Sequence, residues 1–102
     1  MIYVIATIEV AAGQREKFLD EFRQLVPLVQ AEAGCLEYGP TVDLETNLTA
    51  PPAVRANVVT IVEKWENLDT LERHLIAPHM VRYRGHVKEL VVSTSLRILQ
   101  PA

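Results

Sequence analysis

Two segments of this chain alternate apolar residues on both faces of a strand. In Ile2–Val10, the residues Ile2, Val4, Ala6, Ile8 and Val10 line one face, and Tyr3 and Ile5 make part of the other face apolar. In Asn57–Trp65, Val59, Ile61 and Trp65 point one way while Val58 and Val62 point the other. A strand with one wet face does not read like this. Strands that must be covered twice leave a chain of 102 residues few solutions, because it has few helices to cover them with.

The remaining pattern supplies those helices. From Gln14 to about Glu32, Phe18, Phe22, Leu25 and Val29 recur at helical spacing, and Leu19 and Val26 widen the stripe. Glu16, Lys17, Asp20, Glu21, Arg23 and Gln24 form its solvated side. Pro27 inside this run predicts a kink near Arg23–Pro27, and Gly34 is a helix stop. Cys35–Val42 reads as a strand with Leu36, Tyr38 and Val42 on one face, and Gly39-Pro40 marks a bulge or an edge. Leu44–Ala56 carries Asn47, Thr49, Pro51 and Pro52 and has no period, so it is a candidate lid or partner-contacting loop. Asn67 is suited to cap a short helix carrying Leu68, Leu71 and Leu75. Pro78 ends or bends that helix. His79 to about Glu89 continues as a further helical piece with Met80, Val81, Tyr83 and Val87 near one side, and Val91–Leu99 closes the chain as a strand.

The order β-α-β-β-α-β predicts an α+β fold of the ferredoxin-like type, an antiparallel sheet with its helices on one face, over a single domain of residues 1–102. Two helical regions cover one face only. Tyr3, Ile5, Val58, Val62, Val92 and Leu96 are then expected to leave an apolar second face, best covered by the sheet of an identical chain in a homodimer.

Composition removes several classes of function. With 49% hydrophobic residues the chain is not a disordered tail, and it is too short for two independent cores. No apolar run approaches the roughly 20 residues of a membrane span. The start, Met1-Ile2-Tyr3-Val4, has no basic region or cleavage site of a secretory signal, so a cytoplasmic location is expected. A net charge of −3 argues against nucleic acid, which calls for a clustered positive patch. Cys35 alone excludes an internal disulfide and a cysteine-based zinc finger. No Gly-x-Gly-x-x-Gly occurs, so no dinucleotide cofactor is indicated.

Few residues are left to carry chemistry. Trp65, the only tryptophan, ends a strand just before a helix cap, where it serves either as a core aromatic or as a wall of an aromatic pocket with its indole N–H free for a substrate oxygen. His74 is a candidate general base, because imidazole titrates near neutrality. His79 follows Pro78; on a continuous helix it would diverge from His74 by about 140°, and a bend at Pro78 would bring the two together. His86 is expected at the surface. His74, His79 and His86 lack the spacing of a zinc site and no Cys or Glu completes them in sequence, so no metal is expected. Tyr38 is a candidate hydrogen-bonding partner for a substrate oxygen. Asn57 and Arg55, beside the irregular loop, are weaker candidates for substrate contact. Cys35 reads as a small apolar filler.

The run Val62-Glu63-Lys64-Trp65-Glu66, followed by Leu71, His74-Leu75 and Pro78-His79-Met80, resembles the antibiotic biosynthesis monooxygenase domain. Val4-Ile5-Ala6, Gly13-Gln14, Val26-Pro27, Gly34-Cys35, Tyr38, Pro40 with Val42-Asp43, and Arg97-Ile98-Leu99-Gln100-Pro101 are similar to its bacterial quinol monooxygenase branch. The resemblance covers nearly the whole chain outside Leu44–Ala56. It implies a dimeric α/β barrel, a cavity lined by Trp65, and a cofactor-free reaction between a quinol, or a related dihydroxy-aromatic, and molecular oxygen. On this reading His74 and Trp65 are catalytic and Tyr38, Asn57 and His79 bind substrate. Other members of the superfamily degrade haem or isomerise small molecules, and a ligand-binding dimer without turnover is the non-enzymatic alternative. The haem-degrading relatives use an asparagine on the first strand; Thr7 stands there in this chain, which counts against haem.

Overall fold

The computed structural model describes residues 1–48 and 54–102. Strand β1 spans Ile2–Val10, helix α1 Arg15–Gln30, β2 Cys35–Thr41, β3 Val58–Trp65, α2 Leu68–Leu75, α3 Pro78–Val87 and β4 Val91–Leu99. The four strands pair antiparallel in the order β2-β3-β1-β4, the ferredoxin-like arrangement. The second helical region is two helices, α2 and α3. Helix α1 lies against β2 and α3, and α2 lies against β3.

The stripe on α1 is buried as its spacing requires: Phe18, Leu19, Phe22, Leu25 and Val29 enter the core. The helix runs on through Pro27 to Gln30. Val4, Ala6, Ile8 and Val10 of β1 and Val59, Ile61 and Trp65 of β3 supply the sheet's side of the core. The Gly39-Pro40 pair lies on β2, which is an edge strand, and the ladder is irregular earlier in β2, between Cys35 and Glu37.

The face of β4 differs from the expectation. Directly opposed residues on paired strands share a face. Ala6 opposes Leu96 and Val4 opposes Ile98, so Leu96 lies on the helix side of the sheet and not beside Tyr3 and Ile5. The cause is a bulge: Val10 opposes Val91 while Glu9 opposes Ser93, which leaves Val92 as the extra residue. A single inserted residue moves every later side chain to the other face. Leu96 and Ile98 are nevertheless 51% and 50% exposed.

The candidate lid lies partly outside the described residues; Thr49, Pro51 and Pro52 are among those outside. On its flanks Arg55 donates from Nε and Nη2 to the Asp43 carboxylate at 2.8 and 2.9 Å. These hydrogen bonds hold the Asp43 carboxyl well below the usual carboxylate range. No helix among the described residues is long and apolar enough to cross a membrane.

Candidate active site

The site is assembled at the joint between the α1–β2 turn and helix α2. Gly34 adopts φ +84°, a left-handed conformation that favours glycine. A Cβ on Gly34 would also overlap the Thr70 side chain. Thr70 is held in place by the cap expected at Asn67: Asn67 Oδ1 accepts the Thr70 N–H at 2.9 Å, and Thr70 Oγ1 donates to the Asn67 carbonyl at 2.8 Å. The Glu66 N–H donates to the Gly34 carbonyl at 2.8 Å. The turn after α1 is thus pressed onto the start of α2, and Glu32 is carried to the α2–α3 junction.

There one carboxylate oxygen meets two histidines. Glu32 Oε2 lies 2.9 Å from His74 Nδ1 and 2.7 Å from His79 Nε2. His74 lies in the last turn of α2 and His79 in the first turn of α3, just after Pro78 at the first helical position. The break between the helices, where the Ala77 N–H donates to the His74 carbonyl at 3.2 Å, turns both rings toward the same acceptor. The proline-induced approach of His74 and His79 is therefore present, with Glu32 between them.

His74 is 1% exposed. The Trp65 ring packs against it with centroids 4.6 Å apart, and Tyr38 meets it edge-on at 5.3 Å. Its Nε2 faces Glu63 Oε1 at 3.9 Å. Burial lowers the imidazole's pKa against the opposing pull of Glu32, which favours the neutral ring. The Glu32 carboxylate calls for the proton on Nδ1, leaving Nε2 as a bare acceptor. Glu63 Oε1 accepts the Trp65 indole N–H at 2.9 Å. Burial pushes the Glu63 carboxyl up to about 7, although the Trp65 hydrogen bond opposes it. Burial likewise pushes the Tyr38 and Tyr83 hydroxyls up, so both remain protonated donors.

A cavity of about 430 Å³ opens in front of these groups. Ala6, Ile8 and Ile61 of the sheet form its floor, Phe22 and Tyr83 its aromatic wall, and Tyr38, Glu63 and His74 its polar face. Thr94 and Leu96 of β4, with Arg84 and Lys88, also line it. Phe22 stacks on Tyr38 at 5.6 Å and meets Tyr83 edge-on at 5.6 Å. That volume suits a small ring system, and a mostly apolar wall with a few convergent polar groups is the usual make-up of a ligand site.

The structure brings some of the expected residues to this cavity and not others. His74 and Tyr38 line it. Trp65 does not: it is wholly buried against His74, and its N–H is committed to Glu63. His79 reaches His74 through Glu32 and lines a separate shallow groove with Tyr83 and His86. Asn57 lies elsewhere, its Oδ1 accepting the Gly13 N–H at 3.3 Å and its carbonyl the Val10 N–H at 2.8 Å. Arg55 is occupied by Asp43. His86 is exposed and 3.6 Å from Glu21. Cys35 is half-buried, and burial together with Glu32 pushes its thiol up, away from the reactive thiolate.

Sequence reasoning missed Glu63 and Glu32. For Glu63 a signal existed: it keeps the two-residue period of Val59, Ile61 and Trp65, which places a carboxyl on the core face of β3. Glu32 had none, because the tertiary contacts of Gly34 with Thr70 and Glu66 bring it to the histidines. Its arrival also forms a cluster with His74 and His79 whose donor atoms all lie within 4.8 Å of one another.

Comparison with known proteins agrees with this architecture. Residues 1–85 match the family model described as antibiotic biosynthesis monooxygenase. The chain is 40% identical to the probable quinol monooxygenase YgiN of Escherichia coli K12 over 99% of this chain and 98% of that one. Among solved structures, PA3566 from Pseudomonas aeruginosa superposes with a TM-score of 0.82 at 29% identity, covering 99% of this chain and 93% of its own. A protein from Deinococcus radiodurans described as a putative antibiotic biosynthesis monooxygenase superposes with a TM-score of 0.83 at 20% identity, over 100% of this chain and 93% of its own. A family match over most of the chain, joined to a full-length relative and a common fold, shows that this chain belongs to the antibiotic biosynthesis monooxygenase family.

Proposed function

We propose that the protein is a cofactor-independent quinol monooxygenase, with residues 1–102 acting as one domain. The observation that supports this most directly is His74, held through Nδ1 by Glu32 while Nε2 is left bare beside the cavity. A quinol hydroxyl placed there donates its proton to Nε2. The resulting phenolate gives one electron to oxygen, and the semiquinone and superoxide recombine as a ring peroxide anion. The peroxide takes the proton back from His74, and the O–O bond of the resulting hydroperoxide breaks as its distal hydroxyl leaves with the hydrogen of the oxygenated ring carbon as water, giving a hydroxyquinone. One quinol and one oxygen molecule thus become one hydroxyquinone and one water, with every electron supplied by the substrate.

The other groups fit supporting roles. Phe22 and Tyr83 clasp the ring and exclude water, which raises the worth of each polar contact. The protonated Tyr38 hydroxyl and the Glu63 carboxyl face the same chamber and suit a quinol's oxygens. Arg84 and Lys88 favour the phenolate electrostatically. Trp65 and His79 act one step removed, through Glu63 and Glu32. The reading includes a cytoplasmic homodimer, supported by Tyr3, Ile5 and Val62, apolar residues on the sheet face away from the helices that the single chain leaves only half-buried.

The test is oxygen consumption on adding a benzoquinol, reduced anaerobically, to protein stripped of metal and flavin. Protein-dependent uptake with one oxygen per quinol is expected. Uptake no faster than the buffer rate overturns the reading.

A further inference from the structure

We propose that Glu32, His74 and His79 form a binding site for a single divalent cation of the zinc class. The donors are Glu32 Oε2, His74 Nδ1 and His79 Nε2, two imidazole nitrogens and one carboxylate oxygen. That is the three-ligand set with which proteins hold zinc while leaving a fourth position to water.

The distances are close to those required. Ligands about 2.0–2.1 Å from a tetrahedral ion stand roughly 3.4 Å apart. Here the carboxylate oxygen is 2.9 Å from one nitrogen and 2.7 Å from the other, and all three donors fall within 4.8 Å. The two short edges, at 2.9 and 2.7 Å, must widen by about 0.5 and 0.7 Å. A carboxylate stands beyond the ring, outside hydrogen-bond reach until the gap closes. A cation on His74 Nδ1 moves the ring proton to Nε2, and Glu63 Oε1 stands 3.9 Å from that atom. A carboxylate behind the second nitrogen is the usual outer partner of a metal-bound histidine. Entry is open as well: the Glu32 and His79 side chains are 14% and 18% exposed, and His79 borders the groove between α1 and α3.

The cation displaces two hydrogen bonds to Glu32, so it binds reversibly and in competition with them. It also converts His74 Nε2 from acceptor to donor. On the proposed quinol reaction, a ring that already carries the Nε2 proton cannot take the substrate's. Zinc is then an inhibitor. The binding does not depend on that reading; the inhibition does.

The test uses the full chain, stripped with a chelator and titrated separately with Zn²⁺ by calorimetry and with Co²⁺ by visible absorption. One ion per chain with micromolar or tighter affinity is expected, and the cobalt spectrum should be that of a four-coordinate site. His79→Ala, a change at a partly exposed position, and Glu32→Gln should each weaken binding by about 100-fold, while His86→Ala leaves it intact. Absence of binding at micromolar protein, affinity unchanged in His79→Ala, or an equal loss in His86→Ala overturns the site. Oxygen uptake is measured in parallel. Stoichiometric binding that leaves turnover untouched upholds the site and sinks the role of His74 as base.

Discussion

Trp65 donates its indole N–H to Glu63 Oε1 at 2.9 Å, in a pair that is almost sealed from solvent. A carboxyl in the core strand of a small domain needs such a donor, because an unpaired buried polar group is costly. The pairing also fixes what the tryptophan does. It does not offer its N–H to the cavity; it governs the carboxyl that does face the cavity.

Glu63 should make stability fall as pH rises. Its folded pKa of about 7 lies above the ordinary value of 4.5, so the folded chain holds this proton more tightly than the unfolded one. The associated stabilisation is complete below the ordinary value and is lost as pH climbs through about 7. The whole effect is roughly 3 kcal/mol. Glu63→Gln lacks it, so the melting temperature of the variant relative to the native chain should rise between about pH 5 and about pH 8. A difference that stays flat across that range counts against a buried, titrating Glu63.

Replacing Trp65 by Phe keeps a ring against His74 and removes the donor. The hydrogen bond from Trp65 is what lowers the Glu63 pKa against burial, so Trp65→Phe should move the titration of Glu63 to higher pH. Carbon-detected NMR of the carboxyl reads this directly. The orphaned oxygen should also cost about 1–3 kcal/mol of stability, visible in chemical denaturation.

His74→Ala should slow oxygen uptake by about 10²–10⁴, the usual worth of a positioned general base. The deficit should shrink at higher pH, where the quinol ionises unaided. Near-ultraviolet circular dichroism from Trp65 checks that the variant is folded. A variant with an undiminished rate would leave desolvation in the cavity as the source of catalysis.

Gly34→Ala should destabilise more than Gly13→Ala. Both positions have positive φ, at 84° and 77°, and each should lose about 1–2 kcal/mol for the left-handed backbone. Only Gly34 also meets Thr70, since a Cβ on Gly13 has nothing within 4 Å. The excess loss at Gly34, read from urea melts, measures the joint that carries Glu32 to His74. Equal losses would mean that Thr70 yields freely.

The order of elements was legible because each segment had one dominant period. The stripe from Phe18 to Val29 and the alternation from Ile2 to Val10 are local facts, and burial followed them. The face of Leu96 was not legible, since the bulge at Val92 depends on how β4 meets β1. The site divides the same way. His74 and Tyr38 were legible as candidates from residue type, an imidazole that titrates near neutrality and a tyrosine on an apolar strand face, and both line the cavity. Glu63 carried a readable parity that its flanking Lys64 and Glu66 disguised as surface charge. Glu32 was out of reach, as it lies 42 residues from His74 and meets it only once the chain is folded. Asn57 misled because proximity to an irregular loop is no measure of proximity to a cavity.

The short interval between α2 and α3 works as a calibrated spacer. Ile76 and Ala77 alone separate the helix that ends just after His74 from the helix that begins just before His79. One residue added there would rotate α3 by about 100° about its axis and swing His79 off Glu32. One residue removed would force Pro78 into the end of α2. Length variation among relatives of this chain should therefore gather between Leu44 and Ala56, and the Ile76-Ala77 joint should be the segment whose length never drifts.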